Sequence, residues 1–393
     1  MNLSRNIRLL YLFSALKMAL FPMAIITLFW KDRIGLSLAE ILLLQGCFSL
    51  ATLLFEYPSG YLADRLGYRF TLSLGAAIGI AGWSLYTVSA SFASVLAAEL
   101  LLGCSFACIS GSENALLFET LRAQQREEEY ARFDGRMTGW GQGGEAFAAL
   151  FAGLLYAWAP LSPFLLQIAV WGAAWLVTRS LREPPALPAA GVPSHVGAAL
   201  RTCRYAFVEN RRLRGTLLLA MVLGLASYYP VWLIQPFMQE CGVPLTWFGP
   251  IWAGANLTVA LFSLAGQRLH FHLGERGLFL LYLGLILAGY LGLGLTHALW
   301  SFACYFLLTA MRGLQGPLLR HHLQRDSTRE NRASILSLKA LGFRLLFVVT
   351  GPPVGWFADR FGLASTFLLL GLLLVAVLIP LGTTFLATRQ TSP

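Results

Sequence analysis

The chain has 393 residues, 57% of them hydrophobic and 12% charged, about half the charged share of a water-soluble domain. That balance excludes a soluble enzyme and a soluble nucleic-acid-binding module. The net charge of +10 sits in short basic loops between apolar runs, the pattern that membrane topology imposes, not the footprint of a polyanionic partner.

Runs of mainly apolar residues long enough to cross about 30 Å of hydrocarbon fall near 8–30, 38–61, 70–90, 94–117, 138–159 and 163–180. Six more fall near 215–237, 247–267, 277–296, 299–319, 334–355 and 365–387. The first run has no small-residue cleavage site after it and is expected to stay as a spanning helix. The expected organisation is a six-helix bundle over 1–181, a linker over 182–214 and a second six-helix bundle over 215–393. In the linker Pro184, Pro185, Pro188 and Pro193 break any helix before a basic segment, 200–214, resumes one at the membrane surface. With both termini inside, 22 of the 29 Lys and Arg residues lie on the cytoplasmic side and three, Lys31, Arg33 and Arg360, outside. This bias sets the orientation.

Between the second and third runs stands Gly60-Tyr-Leu-Ala-Asp64-Arg65-Leu-Gly67-Tyr68-Arg69. Gly60 and Gly67 suit close helix approach and a tight reversal, and Asp64 is suited to accept from the free N–H groups of a helix N-terminus. The stretch resembles the loop signature of the major facilitator superfamily, Gly-x-Leu-Ala-Asp-Arg-x-Gly-Arg-Arg, with Tyr68 where a basic residue is usual. The resemblance implies an all-α membrane fold of two pseudo-symmetric six-helix bundles. It also implies a conformational latch built on Gly60, Asp64, Arg65, Gly67 and Arg69. A looser copy, Gly355 to Gly362, reads as a turn without a latch role, and Gly266 to His270 follows the eighth run as Gly60 to Asp64 follows the second. The signatures of the drug-exporting branch are incomplete: Glu99 stands where an Arg is expected before Gly103, and the fifth run has Gly139, Gly141, Gly143 and Gly144 but no Gly-Pro.

Ionisable side chains inside hydrocarbon need a partner or a wet cavity. Lys17 lies near the middle of the first run beside Pro22, and Arg312 and Arg344 near the middle of the tenth and eleventh. Glu56, Glu113 and Glu145 lie in the inner halves of the second, fourth and fifth runs and Glu99 in the outer part of the fourth. Gln45, Ser49, Thr52 and Glu56 recur at helical spacing as a polar stripe, as do Ser301, Tyr305, Thr309 and Arg312, and Trp252, Asn256 and Ser263. Such stripes are expected to line a central polar cavity, with Tyr228 and Trp232 on a proline-broken seventh helix as further solute contacts. Glu99 and Glu113, fourteen residues apart, share a face and suggest an acidic path. Glu145 lies in a small-residue row, Gly141, Ala149 and Gly153, that lets another helix come close.

The expectation is a secondary transporter of a small organic anion or zwitterion, working by alternating access as a monomer in a bacterial inner membrane. Lys17, Arg312 and Arg344 would favour the solute's negative charge, and Glu113, organised by Glu145, would carry the proton. Proton-coupled export is the first reading; uptake of an organic anion with protons, or a non-transporting receptor on the same scaffold, is the alternative. No nucleotide loop, zinc-protease motif or reactive pair is present, so neither an enzyme nor a cofactor is expected. Six cysteines without a Cys-x-x-Cys pair read as small core residues. His270 and His272 in one loop and His321 and His322 in another have no carboxylate at fixed spacing, and no metal site is expected.

Overall fold

The computed structural model describes residues 4–184, 201–327 and 332–390. Pro185, Pro188 and Pro193 of the expected linker lie outside them. Among the described residues the chain is helical throughout, with twelve spans. They are α1 (Ser4–Met18), α2 (Leu38–Leu66), α3 (Tyr68–Val88), α4 (Phe92–Arg122), α5 (Tyr130–Trp158), α6 (Ser162–Ser180) and α7 (Arg211–Glu240). One continuous helical stretch, Leu245–Leu295, reverses at Gly274 into α8 (245–273) and α9 (275–295). Next comes α10 (Ala303–Arg325), and Arg332–Gln390 reverses at Gly362 into α11 (332–361) and α12 (363–390). Several of these helices are long and apolar enough to cross a bilayer.

The chain divides into two compact units, residues 1–188 with 244–253, and residues 189–243 with 254–393. Residues 201–214 of the expected linker therefore belong with the second unit. There Ala206, in the π-turn Tyr205–Glu209, is buried with Leu213, Leu217, Met221, Leu323 and Ile335.

Turn chemistry explains most boundaries. Ser37 and Glu40 cap α2 reciprocally, and Asn210 caps α7 through the Leu213 amide at 3.0 Å. Gly67, Gly274 and Gly362 each hold φ between 64° and 93° with ψ near extended, a combination that side-chain-bearing residues avoid. The same residue thus performs the same reversal between α2 and α3, α8 and α9, and α11 and α12. Small residues bring helices together within each unit: a Cβ at Gly144 would lie 2.2 Å from the Ala15 carbonyl oxygen of α1, and one at Gly79 would lie 1.9 Å from the Trp171 ring of α6.

The first span differs from expectation. It is not one helix over 8–30: α1 ends at Met18, and helical geometry resumes only at Ile26–Leu28 and a π-turn, Phe29–Ile34. Unsatisfied backbone is costly in hydrocarbon, and here the loose Phe21 amide donates to the Gln167 side-chain oxygen of α6 at 2.9 Å, fully buried.

Candidate functional site

The break in the first span places Lys17 one residue before its end, and Lys17 makes an ion pair with Glu113 of α4. Only 15% of the Lys17 side chain and 3% of the Glu113 side chain are exposed. The other Glu113 oxygen, Oε1, is buried without a hydrogen-bond partner among the described residues. Around the pair, Lys17 Nζ lies 6.0 Å from the Phe13 ring centre, and Gly141 and Gly144 of α5 press on Ser14, Ala15 and Met18 of α1. This corrects the expectation for Lys17: its charge is matched by a carboxylate and is not offered alone to a solute.

A second buried carboxyl sits elsewhere on α4. Glu99 accepts a hydrogen bond from Gln45 Nε2 at 3.1 Å and another from the Tyr86 hydroxyl. All three residues are almost wholly buried. Trp30, Trp83, Phe29 and Phe164 ring Tyr86 with centroids 5.5–6.4 Å away. Among the described residues no cation pairs with Glu99. The fourteen residues to Glu113 span about 21 Å of helix, and the two carboxyls have separate partners, so the expected acidic path is two sites. The stripe on α2 is corrected with it. Gln45, Ser49 and Thr52 are buried, and the α2 turn that holds Phe48, Ala51 and Thr52 packs on Gly103 of α4. Thr52 donates to the Phe48 carbonyl, and Glu56 is exposed. As far as Thr52 this face is buried against protein.

Glu145 is half-buried and accepts from Trp252 Nε1 at 3.4 Å, both residues lying in the first unit. Glu113 itself has Lys17 as its ion-pair partner. A groove of about 910 Å³ runs beside α1, α5 and α6, lined by Ala15, Phe21, Arg136, Trp140, Gly144 and Phe147 among others. With Trp140 and Phe147 more than half exposed and an almost entirely apolar lining, it suits acyl chains better than a polar solute, and the charged pair is the stronger site.

In the second unit Arg312 is exposed and Arg344 half-buried, and neither has an ion pair among the described residues. Tyr305 and Trp232 are buried and Asn256 half-buried. Tyr228 meets Trp232, Phe343 and Phe347 edge to face at 4.8–6.1 Å, and Tyr229 shares a 2.5 Å hydrogen bond with Thr350.

The loop signature is rearranged relative to expectation. The anion at the N-terminus of α3 is Glu183, which accepts from the Tyr68 and Arg69 amides at 2.7 and 2.9 Å; the Arg69 guanidinium donates to the Arg179 carbonyl at 2.8 Å. Asp64 is exposed, Arg65 lies over the Tyr61 ring at 5.2 Å, and a Cβ at Gly60 would meet nothing within 4 Å. Gly67 is the one glycine of the stretch whose backbone demands it.

Sequence reading missed Gln167, Tyr86 and Glu183. Gln167 carried a signal, as a lone amide inside an apolar run that needs a partner. Tyr86 reads as an interfacial aromatic, and Glu183 as one more linker charge.

Two bundles of six helices, broken at one end of the first span and carrying buried charge, define a multi-pass membrane transporter. The sequence signature of the Major Facilitator Superfamily matches residues 8–346, and the chain belongs to that family of transporters, not to an enzyme family. The MFS-type transporter YxaM of Bacillus subtilis (strain 168) is 22% identical over 388 residues, covering 94% of this chain and 93% of that protein. In fold, the chain is similar to the nucleoside transporter NupG (TM-score 0.80, 13% identity, covering 98% and 99% of the two chains). It is also similar to a bacterial homologue of the lysosomal transporter Spinster in an inward-facing conformation (TM-score 0.76, 19% identity, 98% and 97%). A third similar structure is a transporter of the POT family in complex with 5-aminolevulinic acid (TM-score 0.72, 12% identity, 99% and 97%).

Proposed function

We propose that this transporter carries a small organic anion or zwitterion together with a proton, by alternating access, and that the inward proton gradient of a bacterial inner membrane makes the net movement uptake. The carrying observation is the ion pair of Lys17 and Glu113 at the break of the first span. One buried ammonium balances the charge of one carboxylate, not of two. When a solute carboxylate takes Lys17, Glu113 is left without its counter-charge, and binding a proton removes the charge that would otherwise stand alone in a dry site. Anion and proton therefore favour each other's binding, and that thermodynamic linkage is the signature of co-transport. Export by exchange would need the two to exclude each other, as they would if the solute were a cation competing for Glu113. Taken by itself, the second unit offers the half-buried Arg344 and exposed Arg312 as candidates for holding negative charge, and Tyr228, Asn256 and Tyr305 for polar groups. The chain acts as a monomer with both termini cytoplasmic, and Asp64 and Arg65 form part of a latch that engages in another conformation.

The test is binding as a function of pH. Small carboxylates, neutral analogues and amines are compared by thermal shift on the purified protein, since a ligand of the folded state stabilises it by mass action. The expected result is stabilisation by carboxylates alone, with affinity rising as pH falls by up to about tenfold per unit, the limit for one linked proton. Glu113→Gln should bind with little dependence on pH. Stabilisation by amines, growing as pH rises, would reverse the assignment to proton exchange.

A further inference from the structure

Far from the Lys17 pair, the second unit brings together His270 near the end of α8, Glu275 at the start of α9 and His322 near the end of α10. One ligand atom from each lies within 4.8 Å of the others. We propose that these three side chains bind one divalent transition-metal ion, with zinc the best match to two imidazoles and a carboxylate.

The local fold explains the meeting. Gly274, at φ 64°, turns the chain back on itself, so that His270 and Glu275, five residues apart, stand on consecutive antiparallel helices. His322 comes from a third, with its ring 6.2 Å from that of His270 and its Nε2 3.7 Å from Glu275 Oε1. Three donors mutually within 4.8 Å leave a point no farther than about 2.8 Å from each, so small rotamer shifts reach the 2.0–2.2 Å of Zn–N and Zn–O bonds. The side chains flank a cavity of about 20 Å³ that Leu278, Tyr282, Leu319 and Phe385 also line, room for one water-sized body and no larger solute.

A second observation concerns a residue that lines the same cavity. The Tyr282 hydroxyl, with its residue only 4% exposed, has no hydrogen-bond partner among the described residues. It follows Glu275 by seven positions, two turns along the same face of α9. A water completing a tetrahedral zinc would give that hydroxyl a partner.

The charges around the site are compatible with a dication. Arg389 Nη1 approaches Glu275 Oε1 only to 4.0 Å, whereas its Nη2 donates to Asp326 Oδ2 at 2.7 Å. Arg389 is thus matched by Asp326, and Glu275 contributes the remaining negative charge. A bare Glu275–His322 ion pair would explain the 3.7 Å contact but not the His270 ring beside it, the small cavity or the unpartnered Tyr282. Bound metal would tie the α8–α9 turn to the end of α10.

The test uses the full chain in detergent, stripped with EDTA, dialysed against micromolar zinc chloride at pH 7.5 and assayed for retained metal. The expected result is one zinc per chain with an X-ray absorption spectrum of two imidazole nitrogens plus oxygen and no sulfur. His270→Ala and Glu275→Gln should each weaken binding at least about 100-fold, since even outer-shell changes cost 10- to 100-fold, while His272→Ala should leave it unchanged. His270 is only half-buried, so its variant reports on the site even if the buried His322→Ala variant fails to fold. Wild type holding less than about a tenth of an equivalent, full retention by both ligand variants, or a sulfur-dominated spectrum would each overturn the proposal.

Discussion

Glu113→Gln and Lys17→Met should each lower the stability of the purified protein by about 3 kcal/mol, the low end for breaking a buried ion pair, since 15% of the Lys17 side chain still reaches solvent. The loss comes from the charge left behind. Combining the two substitutions should therefore recover most of it, because a neutral pair has no charge left to desolvate, and the cycle should show a coupling energy of about 2 kcal/mol or more. Denaturant unfolding of the four proteins measures it. Additive losses would mean that each residue is held by groups other than its partner. The recovered double variant should nevertheless fail to concentrate solute, since it has neither the ammonium to hold an anion nor the carboxyl to take up a proton.

Glu99→Ala should cost about 3 kcal/mol, and Glu99→Gln less than about 1 kcal/mol. The cage around Glu99 holds the Gln45 amide and the Tyr86 hydroxyl, both buried. Alanine strands both groups, at 1–3 kcal/mol for each unsatisfied donor, and leaves a cavity. Glutamine keeps an oxygen for Gln45, and its amide hydrogens can turn Tyr86 from donor to acceptor. Thermal unfolding of the two variants, with full transport in Glu99→Gln, would assign Glu99 to holding α2, α3 and α4 together. A stable Glu99→Gln protein that binds solute but no longer couples it to protons would instead make this carboxyl the carrier.

The architecture was legible because membrane spans follow from length and composition, which are local. Span ends near 61, 90, 237 and 296 fall within a few residues of helix ends or turns, and the glycines of the loop signature marked the α2–α3 reversal. The break after Met18 was half legible: Pro22 announced a bend, but only Gln167, distant in sequence, shows how an open turn is tolerated there. That a buried charge such as Lys17 needs a partner or a wet cavity was legible; which residue supplies it was not. Helical spacing puts Glu99 and Glu113 on one face of α4, yet which residue each meets depends on how α1, α2 and α3 pack on that helix, and it gave them different environments. The same limit applied to the histidines. His270 and His322 were visible as loop residues, but Glu275 becomes their neighbour only through the Gly274 reversal. Asp64 was read as suited to a helix N-terminus without the helix being named; at α3 that place is taken by Glu183, a carboxylate far along the chain that nothing local points to.

On the proposed mechanism Glu113, through its pairing with Lys17, couples one proton to each solute molecule. The most direct measurement is proton entry into proteoliposomes loaded with a pH-sensitive dye, on addition of a carboxylate that stabilises the protein. Wild type should acidify the lumen in step with solute uptake and concentrate the solute when an inward proton gradient is imposed. Glu113→Gln should still exchange labelled for unlabelled solute at equal concentrations but neither acidify the lumen nor concentrate the solute, because exchange needs the conformational change and not the proton. Undiminished acidification and accumulation by Glu113→Gln would rule out Glu113 as the coupling group.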